Sequence, residues 1–229
     1  MQSKMMWRAG LVAVLGLSGT ALAGPDWLEL GDAGSTIGSA QVPTRPFGAP
    51  ALTSIAGSLS EGFITPDYED LYLIRVTDPG AFAIRPLSAD FNVVLYLFNI
   101  TINGEGYGLL ANNDESATST LPKLTGSSTD GTGVILTFPG DYVLAVTGLG
   151  RMPSSRTGAM FNFASNTEIS GADGPGGLNP LSSWTGVGET GHYSFVMEAT
   201  DFPVTPAPGA GMALVAGVGA ALGRRRRVK

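Results

Sequence analysis

The sequence predicts an all-β protein, an antiparallel β-sandwich of jelly-roll-like form, flanked by an N-terminal signal helix and a short C-terminal apolar helix. Three observations predict it. Short runs rich in β-branched and aromatic residues recur between residues 60 and 200, each stopped by a Gly, Pro, Asn or Asp turn. No segment in that range holds a 3.6-residue period, which disfavours α/β. The 33 glycines and 15 prolines among 229 residues leave little room for long helices.

Residues 24–59 form a polar segment rich in Gly, Ser, Thr and Pro, with weak periodicity. The domain proper is expected over 60–200. In "EDLYLIRV", Tyr72, Ile74 and Val76 fall on one face and Leu71, Leu73 and Arg75 on the other, until "DPG" stops the run. "AFAIRPL" follows. "FNVVLYLFNI" is apolar on both faces and reads as a central strand. "GVILTF" reads as a strand entering a type II turn at Pro139-Gly140, with "DYVLAVTGL" returning. Residues 170–191 form a long loop, and "HYSFVMEA" is the last strand, with Tyr193, Phe195 and Met197 alternating against His192, Ser194 and Val196. Leu73, Val94, Tyr96, Phe98, Leu144, Val146 and Phe195 are the expected core.

Both ends read as targeting signals. Lys4 and Arg8 precede an apolar stretch from Leu11 to Leu17, and Ala21-Leu22-Ala23 follows, so a signal peptide over 1–23 is expected, cleaved before Gly24. At the other end a Pro-rich linker, 201–208, leads to an apolar run, 209–223, and a basic tail, 224–229, with Arg224, Arg225, Arg226 and Arg227. As a helix the apolar run spans about 22 Å, short of a bilayer core of about 30 Å. It suits transient contact with the inner membrane, with the arginines held on the cytoplasmic side. The mature protein is expected to begin near Gly24 and to lose the arginines.

Without the ends the chain is strongly acidic. Lys4, Arg8, Arg224 to Arg227 and Lys229 are seven of the 13 bases, so the middle carries six against 19 acids, a net of −13. Such a surface repels nucleic acid and anionic lipid, and leaves divalent cations as partners still open. The absence of cysteine excludes thiolate catalysis and thiolate metal sites.

Catalytic motifs are sparse. "GVGETG" at 186–191 matches G-x-G-x-x-G, but it follows a Gly/Pro loop and precedes a strand, so it reads as turn glycine. His192 is the only histidine, and no G-x-S-x-G elbow accompanies it. Asp67, Glu69 and Asp70, with Asp114 and Glu115, offer carboxylates for glycosidase chemistry if the fold brings two across a cleft. "NNDES" at 112–116 offers hard oxygen ligands suited to calcium without EF-hand spacing, and reads first as a self-satisfied Asn/Asp turn.

The stretches "DYEDLYLIRV", "ADFNVVLYLF", "GLLANNDES" and "GVILTFPGDYVLAV", in that order, resemble the bacterial pre-peptidase C-terminal domain of secreted proteins. The segment "GADGPGGLNPLSSWTGVGETGHYSFVMEA" looks like the closing segment of planctomycete-type members. The resemblance implies a β-sandwich that serves as an accessory module without an active site; some relatives bind calcium. The tail resembles PEP-CTERM sorting signals, with Pro206-Ala207-Pro208 where the type has Pro-Glu-Pro. The expectation is an exported, non-catalytic surface or matrix protein with no bound cofactor. Its partners would be the export and C-terminal processing machinery and matrix components such as exopolysaccharide. A secreted hydrolase with a carboxylate site is the alternative.

Overall fold

The computed structural model describes residues 25–62 and 66–204. The expected signal helix with its cleavage residues Ala21, Ala23 and Gly24 lies outside the described residues, as do Pro206, Pro208, the apolar run and Arg224 to Arg227.

The described chain is all-β. Its strands in order are β1 (Trp27–Leu28), β2 (Ser54–Leu59), β3 (Glu69–Val76), β4 (Ala83–Ala89), β5 (Val93–Ile100), β6 (Gly106–Asn112) and β7 (Leu124–Thr125). Then come β8 (Gly140–Gly148), β9 (Met152–Ser155), β10 (Gly158–Ala159), β11 (Ile169–Gly171), β12 (Ser183–Thr185), β13 (Gly191–Glu198) and β14 (Thr200–Asp201). One 3-10 turn, Ile37–Ser39, interrupts the N-terminal segment, capped by Thr36 and Ser39 side chains in a reciprocal box.

A five-stranded sheet, β1-β2-β13-β4-β7, faces a six-stranded sheet, β11-β6-β5-β8-β3-β14. Neighbours pair antiparallel except β1 and β2, which run parallel. The alternation read from the sequence sets the layers. Tyr72, Ile74 and Val76 of β3, with Leu144 and Val146 of β8, meet Phe195 and Met197 of β13 between the sheets. Burial of such side chains contributes about 1.5–3 kcal/mol each relative to exposure.

The opposite face of the six-stranded sheet is also covered. Leu71, Val94, Tyr96, Phe98, Val143 and Ala145 pack under Met160 and Phe161, with Trp184 and Leu181 partly buried beside them. The cover is built from a three-stranded sheet, β10-β9-β12, and the connections around it. This second core is why β5 is apolar on both faces.

Four expectations are corrected. The segment 24–59 is not outside the sandwich: β2 lies inside the five-stranded sheet beside β13, and Leu52 and Ile55 are fully buried. Its scattered polar residues hide a strand whose alternation is weak because Gly57 and Ser58 occupy it. "GVILTF" forms no strand. Only Ile135 makes an isolated bridge, to Ser127, because the segment folds back on its own loop, with the Leu136 N–H donating to Gly126 O at 2.7 Å. Gly140 opens β8 without the positive φ of a type II turn. Of the expected core, Val94, Tyr96, Phe98, Leu144, Val146 and Phe195 are buried, while Leu73 is half-buried at the margin of the outer cluster.

Candidate metal centre

Three carboxyl groups converge at one end of the sandwich. Glu29 follows β1, whose parallel pairing with β2 is extended by the Glu29 N–H donating to Ala56 O at 2.9 Å. Asp67 pairs with Ser60 in an isolated antiparallel bridge, before the chain enters β3. Asp70 continues the inward alternation of Tyr72, Ile74 and Val76, so β3 carries its carboxyl into the interior, where it is fully buried. One carboxylate oxygen from each of Glu29, Asp67 and Asp70 lies within 4.8 Å of the others.

Local sequence permits this approach. A side chain at Gly57 would collide with the Tyr193 hydroxyl and with Glu29 Oε2, so only glycine in β2 lets the two meet. Behind the carboxyls runs a buried hydroxyl relay. Tyr193 donates to Asp70 Oδ2 at 2.5 Å, and the Tyr72 and Tyr193 hydroxyls are 2.6 Å apart. The Ser58 N–H donates to Glu29 Oε2 at 2.8 Å, and the Ala33 N–H to Asp70 Oδ1 at 3.4 Å.

The cluster is short of donors. Glu29 Oε1 and Asp67 Oδ1 are buried atoms with no hydrogen-bond partner. Burial, ahead of repulsion from Asp32, Glu29 and Glu69, pushes the Asp67 carboxyl up to about 7. Burial raises Asp70 to about 9 against the opposing Tyr193 hydrogen bond, and Asp67 and Glu29 add to the rise. Glu29 is raised too, again chiefly by burial. A divalent cation would remove all three conflicts at once. Calcium takes oxygen ligands at about 2.3–2.6 Å, so ligand atoms on opposite sides of one ion stand about 5 Å apart, which the cluster matches. With no imidazole or thiolate in it, the donor set does not suit zinc.

Asp67 and Asp70 were legible as carboxylates of interest; Glu29 was not, since it lies in the polar segment before the expected domain, far from them in sequence. Glu69, one position from Asp70, points to the other face and is clamped by Arg151, whose Nε donates at 2.6 Å and Nη2 at 3.1 Å. Asp114 and Glu115 do not join the cluster, which is the one group of three or more such side chains this close among the described residues. In the "NNDES" turn, Asn112 holds the loop by donating to Asp114 O and Glu168 O and accepting from the Lys123 N–H. Asn113 Oδ1 and Asp114 Oδ1 are buried there without donors, and burial raises the Asp114 carboxyl.

His192 is exposed on β13, its N–H donating to Asp90 Oδ1 at 2.7 Å. Gly186, at the start of "GVGETG", has φ +83°, and a strand follows rather than a helix. No helix among the described residues is long and apolar enough to cross a membrane. No protein-family model matches the chain, and no curated protein matches it either.

Proposed function

We propose that this chain is an exported, non-catalytic protein of the cell surface or extracellular matrix, processed through its C-terminal sorting signal. Its sandwich is closed by a divalent cation, calcium by ligand chemistry, at Glu29, Asp67 and Asp70. The observation that carries this reading over the hydrolase alternative is the position of the acids. Asp70 is fully buried, and the half-buried Glu29 and Asp67 each turn a partnerless oxygen into the cluster's surroundings, a setting that suits an ion better than two carboxyls flanking an open cleft. The likeness to secreted accessory modules and the signal-like ends support export in the same direction.

The ends are tested by the intact mass of the protein recovered from its native host. A species beginning near Gly24 and lacking Arg224 to Arg227 is expected. Retention of Lys229 in the mature fraction would make the tail an ordinary anchor. The cation is tested by melting the protein in chelator and in several millimolar calcium. Ligands that bind only the native state raise stability by RT ln(1 + [L]/Kd), so calcium should raise the Tm, and Asp67→Asn should reduce the gain. An unchanged Tm would end the cation assignment. Turnover of a polysaccharide or peptide that Glu69→Gln or Asp114→Asn abolishes would restore the hydrolase.

A further inference from the structure

A groove of about 490 Å3 runs along the far side of the outer core, within the volume range of ligand sites. The N-terminal 3-10 turn, the β5–β6 connection and the strand β12 with the residues before it build its walls. Its floor is apolar, with Ile37, Leu181 and the half-buried indole of Trp184. Its rim is polar: Ser35, Ser183 and Glu105. Glu105 is exposed and makes no ion pair among the described residues.

The walls are fixed to one another. The Trp184 indole N–H donates to Ser35 O at 2.8 Å, and the Leu181 N–H donates to Gly106 O at 2.8 Å. The ring is held further by edge contacts with Tyr96 and Phe98, at centroid distances of 5.9 and 6.3 Å. Gly106 has no room for a side chain because Ile37 fills that space. A groove built this rigidly loses little entropy when it is filled.

We propose that this groove binds a stretch of uncharged polysaccharide, an inference that rests on the surface-protein reading and names a ligand class for it. Sugar rings present C–H faces to an apolar floor and hydroxyls to a polar rim, which is the division found here. The Glu105 carboxylate accepts from ring hydroxyls in charge-assisted bonds. A wholly apolar occupant would leave the polar rim unused. A polyanion is opposed both by Glu105 and by the net charge of the middle, six bases against 19 acids.

The test is affinity electrophoresis of the full chain in gels containing mixed-linkage β-glucan, xyloglucan or galactomannan, with alginate as the polyanion. A fluorescence titration with an oligolysine peptide covers the cationic alternative. Retardation by at least one neutral polymer is expected, abolished in Trp184→Ala and weakened about tenfold in Glu105→Gln. Because Trp184 also supports the outer core, Glu105→Gln on its exposed turn decides. Binding undiminished in that variant places the site elsewhere and overturns the proposal. So does no retardation by any neutral polymer, or binding of alginate or oligolysine in their place. These failures leave the mature mass untouched, whereas release of reducing ends would overturn the non-catalytic reading instead.

Discussion

Asp70 carries a carboxyl into a place where water cannot follow. Folded, it keeps its proton to about pH 9, while an ordinary aspartate releases it near 3.8. Asp67 behaves the same way to about pH 7. Without metal the native state therefore binds more protons than the unfolded chain from about pH 4 to about pH 9, and stability is lost as pH rises through that window. The Tm in chelator should fall from about pH 5 to about pH 9, and Asp70→Asn should flatten the upper half of the decline. That variant should also lose most of the calcium gain, since a neutral amide is a weaker ligand than a carboxylate. A chelated Tm that climbs across this range would contradict the assignment. Tyr96 poses a different case. It is 1% exposed, packs on Phe161, and donates to Arg151 O at 3.1 Å. Tyr96→Ala should cost about 3–5 kcal/mol by the cavity it leaves. Tyr96→Phe, which loses only the hydrogen bond, should cost about 1 kcal/mol by denaturant titration.

At the scale of the strand, β3 serves three places at once. Its inner face builds the core, its outer face holds Glu69 against Arg151, and the residues just before it deliver Asp67. Arg151 also donates to Gly186 O at 2.6 Å and lies 5.5 Å over the Tyr68 ring, so one guanidinium ties β3 to the connection before β13. Arg151→Ala would leave Glu69 buried and unpaired, at about 3 kcal/mol or more, whereas replacing both by apolar residues should be near neutral. A double-mutant cycle in urea separates these outcomes. The inward and outward sets of β3, β5 and β13 were legible because a period of two is written in side-chain polarity. What "GVILTF" and β2 share is that their fate is set elsewhere. The first has the composition of a strand but no partner, leaving Ile135 and Phe138 60% and 73% exposed. The second has a partner, β13, but a composition diluted by glycine and serine. The carboxylate cluster lies further beyond a sequence reading. Glu29 and Asp67 are separated by a whole strand, and they meet through the parallel pairing of β1 with β2 and the bridge of Asp67 to Ser60 just after β2.

For the whole molecule, cohesion has to come from burial, since there is no cysteine to cross-link it. Two cores share one sheet, so the six-stranded layer is sealed on both faces by strands and connections instead of helices. The strands at the margins of the sheets have a property that follows from their lengths alone. The five-stranded sheet ends in β1 and β7, each of two residues, and the six-stranded sheet in β11, of three, and β14, of two. A bare strand margin is a template on which another chain can add itself, and the capacity grows with the length of unpaired backbone. Among the described residues the outermost strands are all this short, but β7 covers only Ala83 and Ile84 of β4, and along the rest of that edge Pro86 removes one of the free amides. A protein delivered beyond the reach of folding chaperones, and crowded against copies of itself on a surface, would gain from this directly. On such a surface the proline in the longest open edge would hinder a neighbouring copy from adding itself there as a further strand.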